Sequence, residues 1–95
     1  MAQLITPFKL AKEIINDMLN NPGRYRLNVR NPKSPLVITQ QHIMSYLQER
    51  EIYLTDEEFE KLLPRVMMYL HDLFIAMGYE IEKRPRKIII YQNGE

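Results

Sequence analysis

Thr55–Tyr91 reads TDEEFEKLLPRVMMYLHDLFIAMGYEIEKRPRKIIIY, and the change of period within it decides the fold. Phe59, Leu62, Leu63, Val66, Leu70, Leu73, Phe74 and Met77 recur at the three-and-four spacing that keeps one face of a helix apolar. Such a helix is built to be packed upon. Thr55 and Glu58 stand at the spacing of a reciprocal capping box, and Leu54 and Phe59 at that of a hydrophobic staple, so the N-cap is expected at Thr55. Gly78 can take the left-handed conformation that ends a helix. Tyr79, Ile81 and Lys83 then alternate with Glu80 and Glu82 at the period of a strand. Arg84-Pro85-Arg86 interrupts that strand, and Lys87–Tyr91 resumes β-type composition, which predicts strand, cationic turn, strand. Pro64 conflicts with a continuous helix, because an interior proline removes a backbone hydrogen bond and costs about 3 kcal/mol. Either a short helix ends at Leu63 and Pro64 opens a new one, or a single helix kinks near Lys61; the break is the preferred reading.

Upstream, Thr6-Pro7 offers a cap and a proline at the first helical position, and Phe8, Ala11, Ile14, Ile15, Met18 and Leu19 form an apolar stripe ending near Asn20-Asn21. Pro22-Gly23 forces a turn. Tyr25, Leu27 and Val29 alternate with Arg24, Arg26, Asn28 and Arg30, the pattern of a half-buried strand with a basic outer face that could meet a polyanion. Asn31–Pro35 is a stiff loop, Leu36-Val37-Ile38 a short strand, and Thr39 the cap of a helix over Gln40 to about Arg50. In that helix Ile43, Tyr46 and Leu47 share a face, while Gln40, Gln41, Gln48 and Glu49 read as solvated. Glu51–Leu54 is a connector.

The 95 residues, 45% apolar and 26% charged, suit one soluble domain with a modest core. With no cysteine there is no disulfide or thiolate metal site, and no apolar run is long enough for a membrane span or a secretory leader. The expectation is a cytoplasmic protein. The net charge of +1 conceals a sorting by segment: seven basic against three acidic residues up to Arg50, two against eight over Glu51–Glu82, and four against one from Lys83 onward. A polyanion would be drawn to the first half and the hairpin and repelled by Asp56-Glu57-Glu58-Glu60, a turn expected to face away from the hairpin. No phosphate loop, nucleophile motif or metal-ligand spacing is present, so no enzyme, cofactor or metal is expected. His42 and His71 stand alone, and Met67, Met68 and Ile75 lie at the border of the core stripe, where a homodimer contact would fit.

Three stretches carry a resemblance: Val37-Ile38-Thr39 entering a helix, the Val66, Leu70, Leu73, Met77-Gly78-Tyr79 spacing of a helix passing into a strand, and Arg84-Pro85-Arg86 at a hairpin tip. Over about residues 6–92 the chain resembles the winged helix-turn-helix superfamily. The resemblance implies an α+β fold, three to four helices on a small antiparallel sheet with a C-terminal hairpin wing. It further implies a transcriptional regulator that binds double-stranded DNA, as a homodimer, with the third helix in the major groove and the wing on phosphate or in the minor groove. Groove-facing positions would then be Arg65, Met68, Tyr69, His71 and Asp72, with Arg65 and Tyr69 the residues able to contact DNA. Lys83, Arg84, Arg86 and Lys87 would be the wing contacts, supported by Arg24 and Arg26. The alternative expectation is a winged-helix-like protein-interaction or assembly module that binds no DNA, in which the acidic turn and exposed apolar residues meet a partner.

Overall fold

Pro7 presets the first helical φ and the Thr6 hydroxyl accepts from the Lys9 N–H at 3.2 Å, so α1 (Pro7–Asn20) begins where the sequence places it. The computed structural model describes residues 5–28 and 30–91. The chain continues through the single turn α2 (Pro22–Tyr25), β1 (Leu36–Thr39), α3 (Gln40–Glu49), α4 (Asp56–Ala76), β2 (Glu80–Arg84) and β3 (Lys87–Tyr91). The three strands form one antiparallel sheet in the order β1-β3-β2, with the helices on one of its faces. The fold is thus α+β, helices on a small sheet with a C-terminal hairpin, an arrangement compatible with a winged helix.

The strand expected over Arg24–Arg30 does not form. Pro22 starts a helical turn, and the Tyr25 hydroxyl donates to Asp17 Oδ2 at 2.6 Å, which draws its ring into the core. That anchor overrides the alternation: Leu27 is exposed, Arg26 alone bridges to Leu36, and Val29 lies outside the described residues. In the loop that follows, the Ser34 hydroxyl accepts from the Asn28 N–H at 2.9 Å and is buried.

Thr39 ends β1 and caps α3 at the same time. Its hydroxyl accepts from the His42 N–H at 3.2 Å, and His42 Nδ1 accepts from the Thr39 N–H at 3.0 Å, a capping box in which histidine replaces the usual acid. Thr55 and Glu58 form the expected box at α4, with bonds of 3.1 and 2.8 Å. Both helices end in the same way. At α3 the N–H groups of Glu51 and Ile52 donate to the carbonyls of Gln48 and Leu47; at α4 those of Gly78 and Tyr79 donate to Ile75 and Phe74. This geometry needs a positive φ, which Gly78 adopts at 88° without a Cβ and Glu51 adopts at 59° against a steric cost.

The break preferred at Pro64 does not occur either, because α4 runs unbroken past it. Pro64 faces solvent, while Phe59 and Leu63 before it and Val66, Met67, Leu70 and Phe74 after it enter one core. Each of these burials contributes about 1.5–3 kcal/mol, and together they outweigh the roughly 3 kcal/mol that an interior proline costs. Met67, expected at the border, is buried; Phe8, Leu19 and Met77, expected on the buried stripes, are exposed. In the sheet, Ile38 pairs with Ile88 and Leu36 with Ile90, so four branched apolar side chains point at the helices. Arg84 pairs with Lys87, leaving Pro85-Arg86 as a two-residue tip.

Candidate functional site

The hairpin tip sits against the starts of α3 and α4, not apart from them. The backbone joins first: the Gln40 N–H donates to the Arg86 carbonyl at 3.0 Å. The Arg86 guanidinium then lies as a fork on Glu60, with Nη2 to Oε1 at 2.9 Å and Nη1 to Oε2 at 3.1 Å, and Nη1 also donates to Gln40 Oε1 at 2.6 Å. Gln40, expected in solvent, is therefore engaged, and the expectation that the acidic turn faces away from the hairpin is corrected. Glu60 lies one turn into α4, on the side that meets the tip. Hydrogen bonds from Arg86 hold the Glu60 carboxyl below its ordinary range, and the same pairing raises Arg86.

Arg84 is also committed. Its Nε donates to Glu82 Oε2 at 2.7 Å and its Nη2 to the same oxygen, while the Tyr91 hydroxyl donates to Glu82 Oε1 at 2.9 Å. The Tyr91 hydrogen bond, then Arg84, depresses the Glu82 pKa, and that hydrogen bond raises Tyr91. Arg24 bridges Asp17 at 3.2 Å and Glu49 at 3.3 Å. Glu49 ends α3 and Gln40 begins it, so Arg24 and Arg86 attach to opposite ends of a helix about 14 Å long. Arg26 Nε is buried with no hydrogen-bond partner among the described residues.

Of the remaining candidates, Arg65, Lys83 and Lys87 are exposed and form no ion pair among the described residues. Tyr69 is half-buried and packs edge-on against Phe8, ring centroids 5.3 Å apart. The structure thus brings Lys83, Arg84, Arg86 and Lys87 onto one hairpin, while the Arg24 guanidinium pairs away from it with Asp17 and Glu49. Three carboxylates that sequence reasoning did not connect to the cations, Glu60, Glu82 and Asp17, occupy the arginines. Only the Glu82 pairing had a local signal, two residues from Arg84 along a strand.

α4 itself carries five carboxylates, Asp56, Glu57, Glu58, Glu60 and Asp72, against the two cations Lys61 and Arg65. Lys61 lies 3.6 Å from Glu57, so these two charges partly offset each other, and the excess of acid rests on the other residues. Among the described residues no group of three or more His, Asp or Glu side chains is placed to hold a metal ion, and no helix is long and apolar enough to cross a membrane. No protein-family model matches the chain, and neither curated proteins nor solved structures give a significant match.

Proposed function

We propose that the protein is a winged-helix-like interaction module that recognises another protein and does not bind duplex DNA. The observation that carries this reading is the acid on α4: five carboxylates against two cations on the helix that a DNA-binding winged helix would insert into the major groove. Duplex DNA presents one phosphate charge per roughly 1.7 Å of its axis, so a net-negative helix would be repelled from the groove. The wing adds to the argument, since Arg84 and Arg86 would have to leave Glu82 and Glu60 before they could neutralise a phosphate. The test is anisotropy titration with a labelled random-sequence duplex at low salt, where screening is least. Absence of binding is expected.

A second reading, a winged-helix transcriptional regulator, is favoured by Arg65, Lys83 and Lys87, which have no ion pair among the described residues. If the titration shows binding, this second reading replaces the first. Changing Lys83→Ala with Lys87→Ala should then reduce the salt slope by about 1–2.

A further inference from the structure

Away from the wing, an open groove of about 590 Å³ runs between α1 and the C-terminal ends of α3 and α4. Ile15, Leu19, Leu73 and Met77 give it an apolar floor. Leu19 is 51% exposed and Met77 45%, although both continue the stripes that bury Ile14, Ile15, Leu70 and Phe74. The helices are patterned for a cover that the described residues do not supply. Lys9, Lys12 and Arg50 stand around the groove. The one acid among its lining residues, Glu13, is already engaged: it accepts from the Tyr46 hydroxyl at 2.9 Å and lies 3.4 Å from Arg50. Lys9 and Lys12 form no ion pair among the described residues, and Lys12 Nζ rests 5.3 Å from the centre of the Phe8 ring.

From this geometry we infer that the groove receives an acidic amphipathic helix of a partner protein, its apolar face on Leu19, Leu73 and Met77 and its carboxylates toward Lys9 and Lys12. The inference rests on the interaction-module reading and gives the partner its chemistry. Charge complementarity selects the occupant. A second copy docked by two-fold symmetry would set the same patch against itself and bring Lys9 and Lys12 toward their own equivalents. The copy's acidic stretch at the start of α4 is no substitute, since its apolar residues Phe59 and Leu63 are already buried. From Lys9 to Leu19 the wall extends about 15 Å, enough for roughly three turns of a docked helix.

Three labelled peptides of about 14 residues test this by anisotropy: one with leucines at helical spacing flanked by glutamates, a twin with lysine for every glutamate, and a scramble of the acidic peptide that removes its apolar face. The acidic peptide should bind at least about tenfold tighter than either control. Leu19→Glu with Met77→Glu, both at exposed positions, should abolish that advantage, and Lys9→Glu with Lys12→Glu should transfer the preference to the lysine twin. Circular dichroism confirms that each variant is folded. Equal binding of the three peptides, binding of none, or full binding by the Leu19→Glu, Met77→Glu variant overturns the groove assignment. A concentration-dependent dimer in sedimentation that Leu19→Glu disperses also overturns it, in favour of a second copy. If the acidic peptide fails while duplex DNA also fails to bind, the groove assignment falls and the module reading stands; if the duplex binds, that reading falls.

Discussion

His42 holds the start of α3 through a ring nitrogen that must keep its lone pair. Because Nδ1 accepts from the Thr39 N–H at 3.0 Å, the ring's proton sits on Nε2, and protonating Nδ1 would remove the acceptor. Burial lowers the His42 pKa below its ordinary 6.5, with a backbone hydrogen bond to Arg24 acting in the opposite direction. The unfolded chain therefore takes up its proton first as pH falls. Stability from this group is complete above 6.5 and is lost as pH falls from there toward the lower folded value. Glu60 and Glu82, both held below 4.5, lose their contribution only at more acidic pH, so the two windows separate. Thermal midpoints should drop between about pH 7.5 and 5.5 in the wild type and drop less in His42→Gln. Equal drops would show that the ring does not act as the cap. At this scale Thr6, Thr39, Thr55 and Gly78 were legible in sequence, because caps and left-handed ends depend on residues at most a few positions apart. The acceptor role of His42 was not, since acids usually fill that position, and the positive φ of Glu51 had no local marker.

Helices and strands were read correctly where one periodicity acted alone and misread where a long-range contact competed with it. Arg24–Arg30 alternates like a strand, yet the Tyr25 hydroxyl bond to Asp17 fixes a helical turn there, and Asp17 belongs to a different element. Pro64 reads as a boundary because the local cost is visible and the packing gain on both sides is not. α4 thus carries a tolerated defect on its solvent face. Pro64→Ala should restore the bond to the Glu60 carbonyl and stabilise the protein by about 1–3 kcal/mol, less whatever entropy the unfolded chain recovers. Chemical denaturation midpoints would measure it. A destabilised Pro64→Ala variant would mean that the proline is fitted to its site.

Across the whole molecule, the order of elements outside Arg24–Arg30 and Pro64, and the C-terminal hairpin, were legible, whereas the electrostatic surface was not. Sequence sorts charge along the chain, and folding re-sorts it in space: Arg86 meets Glu60 across 26 positions and Arg24 meets Glu49 across 25. Two of the cations that defined a candidate DNA surface, Arg86 and Arg24, are thereby joined to carboxylates drawn from other elements, and Arg84 to Glu82 on its own strand. The Lys9–Met77 groove escaped notice for the same reason, being assembled from three helices whose apolar stripes each looked fully used. The claim that acid on α4 keeps this fold from DNA is tested most directly by titrating one random-sequence duplex at low salt with the wild type and with Glu57→Gln, Glu60→Gln side by side. The account predicts no binding by the wild type and binding by the variant, whose affinity falls by about 0.9 log units per neutralised phosphate for each log unit of salt. Tight, salt-dependent binding by the wild type, unchanged in the variant, would contradict it.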